Sequence, residues 1–508
     1  MPERRTVGRR ADAETVVLRG AGEVRPEHVA AVAEGVRIEL DAAVVARMSE
    51  ERAALDAAIA GGAAVYGVTH GLGARSDQAV TTPSPHEFAA QTVRGRAHAV
   101  GPPLAATAVR AAIASRLSTF AAGGSGVSPH VAEGLAALVN AGVTPVIGSI
   151  GSIGLSDLCQ FAHVGLVVLG EGRATSNGST GVLDGGRALE QAGLAPLVLA
   201  AKDGLTLCGG NPIAIGAGCL AVVRVERLAA WAEGLLALSM RGFGANSHPL
   251  RPDVLAMRGN PALDRAARAL RSMTAPAGEA PPRRLQDPVS FRSAPVSLAA
   301  LDEAVGRLRV EVTAELNGSG DNPVVVGGDV LPTGNFHAPM LAQASDGLAI
   351  ALAAYANSVV SRCQRLLQPR LTELPANLVG AGPNSSGLAP LIKIAQSLVV
   401  QLHRQAAPLS FDARDGADGV EDDGSNTSAA ALRLLDMGDA MAALLAVEAV
   451  FAAQAVDLRG PVLAPTLADL HQRVRRISPV LGEDRSLAEE LEALAAMIAE
   501  TAAPASQR

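Results

Sequence analysis

Residues 427–457 read TSAAALRLLDMGDAMAALLAVEAVFAAQAVD, a run that is long and apolar at helical spacing. Four other segments, 214–240, 296–316, 339–368 and 387–407, share that character and are joined by polar loops. Helices of this kind bury their apolar faces on one another, so a mainly α fold with a central bundle of long helices is expected. The bundle should span residues 213–460, followed by C-terminal helices over 461–508. Abundant Ala, Leu and Val favour helix and close packing.

The preceding part reads differently. Residues 1–16 are polar and expected to be disordered. Residues 17–212 form a loop-bearing N-terminal domain, with a strand and helices over 17–50 and amphipathic helices at 104–122 and 131–141. It carries three Gly-rich stretches, at 65–73, 148–154 and 208–212. None has Walker lysine spacing or Gly-x-Gly-x-x-Gly between a clear strand and helix, so nucleotide binding is not expected. Residues 273–285, rich in Pro, Ala and Arg, suggest an exposed connection.

Composition narrows the function. The 508 residues carry a formal net charge of −7 and only 2% aromatic side chains, which argues against nucleic-acid binding. The apolar runs 162–170 and 388–402 are short or interrupted, as in buried core helices rather than membrane spans. Four cysteines lie far apart without a Cys-x-x-Cys pair, and no apolar signal sequence follows Met1. A cytoplasmic protein without disulfides or a metal site is expected.

Several residues could carry chemistry. Tyr66 is one of only two tyrosines and lies on a Gly-rich loop that can project it into a cavity, where a phenol can act as general base; packing is the alternative. The other, Tyr355, reads as helix core. Arg292 has the planar guanidinium suited to a substrate carboxylate, or to a structural ion pair. The acidic run Asp412, Asp415, Asp418, Glu421, Asp422 and Asp423 reads as a solvated loop or as a wall for a cation. His70 could relay the Tyr66 proton or be structural.

The motifs taken in order resemble the histidine and phenylalanine ammonia-lyases. Val65-Tyr66-Gly67-Val68 resembles the start of their Tyr-Gly-Val-Asn-Thr-Gly-Phe-Gly loop, and Ala97-His98-Ala99-Val100-Gly101 their Ser-His-x-x-Gly. Gly124-Ser125-Gly126-Val127, Asp157-Leu158 through His163, Gly170-Glu171-Gly172 and Lys202-Asp203-Gly204-Leu205 follow. Gln286-Asp287-Pro288 with Ser290 and Arg292 resembles Gln-Asp-x-Tyr-Ser-x-Arg. Asp321-Asn322-Pro323, Gly334-Asn335-Phe336-His337, Ser386-Gly387 and Glu421-Asp422 complete the series. The resemblance covers about residues 17–460. It implies an ammonia-lyase-like fold, a homotetramer with sites shared among subunits, and a small-molecule carboxylate substrate. It assigns Tyr66 and Glu421 to catalysis, and His98, Gln286, Arg292, Asn322 and Phe336 to substrate binding; His70, a departure from the family at its position, joins the catalytic candidates as a helper of Tyr66.

One departure is central. The family makes a methylidene-imidazolone from an internal Ala-Ser-Gly triad by cyclisation and dehydration, and the serine supplies the methylidene carbon. Here residues 148–158 read Gly-Ser-Ile-Gly-Ser-Ile-Gly-Leu-Ser-Asp-Leu. Aligned from the left, Ser152-Ile153-Gly154 replaces the triad; from the right, Gly154-Leu155-Ser156 does. Neither has a central serine, so the prosthetic group is expected to be absent. Other family positions fall on Gly209, Val289, Thr69-His70 and Asp423. The expected activity is a ring-independent carbon–nitrogen lyase acting on an activated, cationic amino-acid-like substrate, ergothionase-like in lacking the ring. The alternatives are a cyclase or isomerase of a biosynthetic intermediate, and a non-catalytic subunit of a hetero-oligomeric ammonia-lyase.

Overall fold

The computed structural model describes residues 15–81, 84–177, 181–274, 283–380, 384–412 and 416–504. The first fourteen residues, most of the 273–285 connection and Asp415 of the acidic run lie outside them. The fold is mainly helical. Its longest helices are Pro212–Phe243, Ala294–Leu316, Pro339–Leu366 and Thr427–Arg459. At 33 residues the last is about 50 Å long. It is long and apolar enough to cross a membrane, yet 83% of its most apolar window is buried within the protein, as in a core helix. The 387–407 run forms a helix only from Leu391 to Gln405. Just Leu391, Ala395 and Leu402 of that helix are buried, while Ile394 and Val400 are exposed, so it is not the core helix its composition suggested.

The chain divides into two compact units, each assembled from separated stretches. One comprises residues 1–220, 311–342 and 409–432, and the other 221–310, 343–408 and 433–508. In the first, the helix Ala106–Ala122 is buried along nearly its whole length. The same unit holds short strand pairs: Val16–Leu18 parallel to Ile38–Leu40, and Val100–Pro103 antiparallel to Gly148–Ile150. Strands Val324–Val326 and Asp329–Leu331 form a hairpin whose two turn residues, Gly327 and Gly328, both have positive φ, as a tight hairpin turn requires. Residues 17–50 thus contain a second strand that an apolar-run reading passed over.

In the second unit the long helices are clasped by polar groups as well as apolar packing. Buried Arg362 donates to both oxygens of buried Glu448, at 2.6 and 3.0 Å, and Ser239 donates to the same carboxylate at 3.0 Å. Tyr355 is buried mid-helix beside Arg362, in keeping with a core role, and burial pushes its phenol well above the ordinary range.

Candidate active site

The Tyr66 loop is shaped by its glycines and by Thr69. Gly67 has φ +66°, and a side chain there would meet Leu205 and Leu72 within 2.7–2.8 Å. Only glycine fits both the backbone and the space. The Thr69 hydroxyl accepts the Val65 N–H at 2.7 Å and donates to the Ala63 carbonyl at 3.0 Å, pinning the turn. Tyr66 Oη accepts the Gly73 N–H at 3.0 Å. That donor stands where negative charge develops if the phenol gives up its proton. The His70 ring turns instead to Thr69, with Nδ1 3.2 Å from its hydroxyl.

Glu421 and the 152–154 loop lie on adjoining segments of the same unit. Gly73 lies against Ala417, 3.4 Å from the point a Cβ would occupy. Ala417 belongs to the turn closed by Gly416 N–H donating to the Glu421 carbonyl at 2.8 Å. The segment just after Glu421 packs on the 152–154 loop. Asn426 N–H donates to the Ile153 carbonyl at 3.0 Å, and Ser425 Oγ to the Gly154 carbonyl at 3.1 Å. Gly154 has φ +83°, and any side chain there would stand 2.7 Å from Ser425 Oγ. Through residues 416–426 the Tyr66 loop and the 152–154 loop become neighbours.

His98 lies two residues before the strand Val100–Pro103, which pairs with Gly148–Ile150. A Cβ on Gly151 would lie 3.2 Å from both Ala99 Cα and Cys159 Cβ, so the His98 segment rests on the residues that lead into the 152–154 loop. Nearby His163 is held below the usual imidazole range by burial, with Arg173 and His98 adding to the effect. Asn322 Oδ1 accepts the Thr333 N–H at 3.0 Å, and the Phe336 carbonyl accepts Asn211 Nδ2 at 2.7 Å. Leu155 bridges to His337, bringing the Phe336 segment to the far end of the loop.

Gln286 and Arg292 belong to the other unit. Both are exposed, and the Arg292 guanidinium donates to the Gln286 side-chain oxygen. Val289, on the same turn, is 61% exposed.

Two buried charge arrangements escaped sequence reading. Asp157 was visible only as part of a motif. Its carboxylate is fully buried, and Oδ2 accepts the N–H groups of Ile213 (2.8 Å) and Ala214 (3.2 Å) at the start of the helix Pro212–Phe243. An anion is favoured at that helix end. Its other oxygen accepts Ser152 Oγ at 3.0 Å and the hydroxyl of Ser428. Burial nonetheless raises its pKa above the usual carboxylate range. The second arrangement is Arg116, which donates to both oxygens of Asp321, at 2.8 and 3.1 Å, and to the Thr206 carbonyl. Lys202 Nζ lies 4.0 Å from Asp321, and burial lowers its pKa to about 8. These groups fix the residues flanking Gly209 and Asn322. A lone Arg, Lys or Asp far apart in the chain carries no signal of that pairing.

Residue 153 bears directly on a backbone-derived ring. Between Ser152 and Gly154 stands isoleucine, 39% exposed and without a hydroxyl. The Ser152 hydroxyl is occupied by Asp157 and accepts the Gly154 N–H at 3.2 Å.

The family model for aromatic amino acid lyases matches residues 24–476. A histidine ammonia-lyase of Anaeromyxobacter dehalogenans is 34% identical over 507 residues, covering 97% of this chain and 98% of its own. Among solved structures, the ergothioneine-degrading ergothionase of Treponema denticola superposes with a TM-score of 0.89 at 27% identity, covering 96% of this chain and 98% of its own. Tyrosine aminomutase of Streptomyces globisporus does so with a TM-score of 0.89 at 28% identity, covering 96% and 97%. The chain belongs to the aromatic amino acid lyase family. By class it is a carbon–nitrogen lyase, built on the mainly helical ammonia-lyase fold.

Proposed function

We propose that this enzyme eliminates an amine from a carboxylate-bearing, amino-acid-like substrate to give an α,β-unsaturated acid, without a methylidene-imidazolone. The observation that carries the reading is Ile153. Dehydration to a methylidene needs a β-hydroxyl on the central residue, and the residues of the 152–154 loop do not fit that chemistry. Without the ring, a primary ammonium is a poor leaving group, so the substrate must bring its own activation. A quaternary ammonium leaves as a neutral amine, and a betaine-type amino acid is therefore the proposed substrate class. Likeness to an ergothioneine-degrading enzyme accords with this.

In this reading Arg292, with Gln286, and Asn322 hold the carboxylate, and Phe336 and His98 line the substrate. The Tyr66 phenolate, stabilised by the Gly73 N–H, takes the proton β to the amine and becomes the neutral phenol. Glu421 and its acidic neighbours face the cationic end, and His70 tunes the base loop through Thr69. Among the described residues, no group of three or more His, Cys, Asp or Glu could hold a metal ion. We further propose a cytoplasmic homotetramer, to be tested by light scattering: a mass of four chains is expected, and a stable monomer would contradict it.

Incubation with betaine-type and with primary amino acids tests the reaction. Enoate absorbance should rise only with the betaines, and Tyr66→Phe should lower the rate at least a hundredfold. Turnover of primary amino acids, or an unchanged rate in Tyr66→Phe, would overturn the proposal. A second reading, isomerisation or ring closure by the same base, is kept in view by the likeness to an aminomutase. It predicts a product of unchanged mass.

A further inference from the structure

The turn carrying Gln286 and Arg292 is braced by side chains that have no part in the chemistry above. Phe291, next to Arg292, is buried and stacks on Phe243, with ring centroids 4.0 Å apart and planes 12° from parallel. The Arg284 guanidinium covers the Phe243 ring, 4.3 Å from its centroid. Arg284 Nε donates to Asp287 Oδ1 at 2.7 Å, and its two terminal nitrogens donate to the carbonyls of Gly244, at 3.1 Å, and Leu371. The other oxygen of buried Asp287 accepts the Asn246 N–H at 2.6 Å. One planar cation thus bonds to three acceptors on separate segments and lies on an aromatic face. Lysine has no plane or fork with which to copy this.

Asp287 follows Gln286 directly, and Phe291 precedes Arg292 directly. Both ends of the turn are therefore tied to Arg284, one by the ion pair and one through the Phe243 ring. Arg292 itself is exposed, and among the described residues its guanidinium donates to Gln286. A long exposed side chain must lose rotamer freedom before it can grip a carboxylate in two-point fashion, and a rigid backbone beneath it lowers that cost.

We propose that Arg284, with Phe243 and Asp287, is the positioning device for the substrate carboxylate clamp, and so controls how tightly the substrate is held rather than how fast it reacts. The inference rests on the reading of Arg292 as the carboxylate-binding residue. With the betaine turned over by the wild-type enzyme, Arg284→Met should raise KM at least tenfold with kcat within about twofold. Phe243→Leu should do the same more weakly. Phe243→Tyr, which keeps the ring, should restore wild-type KM. Unchanged KM in well-folded Arg284→Met would overturn the inference, as would a fall in kcat alone. Arg292→Gln is measured alongside. If it too leaves KM unchanged, the clamp reading itself fails; if it raises KM while Arg284→Met does not, only the positioning role fails. A crystal structure of Arg284→Met gives a reading independent of turnover. A displaced 286–292 turn with the Gln286–Arg292 pair broken supports the device, and an unmoved turn refutes it.

Discussion

Ile153 is a single side chain, yet the proposed ring-free chemistry rests on it, and it was legible without any structure. The same is true of Tyr66, because a tyrosine among glycines stands out where only two tyrosines exist. Other residues became meaningful only in three dimensions. Asp157 bonds to Ile213, 56 positions away, and nothing local marks it as the cap of that helix. Glu315 is another. Burial, with Glu311 one turn earlier as a lesser contribution, raises its carboxyl to about 7. Between roughly pH 4.5 and 7 the folded chain therefore keeps a proton that the unfolded chain has lost. The stability from that proton is fully present below pH 4.5 and is lost as pH rises through 7. Glu315→Gln should flatten this slope and stabilise the protein at pH 8 by about 1–2 kcal/mol. Thermal melts of both proteins at pH 5 and pH 8 check this; parallel pH dependence in the two would contradict it.

At the scale of elements, the long helices were readable and, apart from the first strand, the strands were not. A 3.6-residue period repeated over the 32-residue helix Pro212–Phe243 leaves a strong pattern. The strands Val100–Pro103 and Gly148–Ile150 have four and three residues, with Gly and Pro among them, too few to show alternation. Yet this pair, which begins two residues after His98, sets that segment beside the 152–154 loop. The segments around Asn322 and Gly209 depend on the buried Arg116–Asp321 pair in the same way. Removing one partner strands a charge away from water. Arg116→Met is expected to destabilise by about 3–5 kcal/mol, less whatever Lys202 recovers from its place 4.0 Å from Asp321. Arg116→Met combined with Asp321→Leu should cost less than the single change. Denaturant melts of the two variants test this, and equal or greater loss in the double variant would contradict it.

For the whole molecule, the candidate residues divide between the two compact units. Tyr66, His70, His98, Asn322, Phe336 and Glu421 belong to one, and Gln286 and Arg292 to the other. Motif order along the chain made these residues recognisable but carries no information on which loops meet. The contacts joining residues 66–73, 416–426 and 152–154 supply that information for the first unit. The reaction proposed for the assembled enzyme depends on a backbone left unmodified in all of its copies. Intact-mass spectrometry of the purified protein tests this most directly. The mass should equal that of the unmodified chain, and a species lighter by two waters, traced by peptide mapping to residues 148–157, would contradict a ring-free lyase.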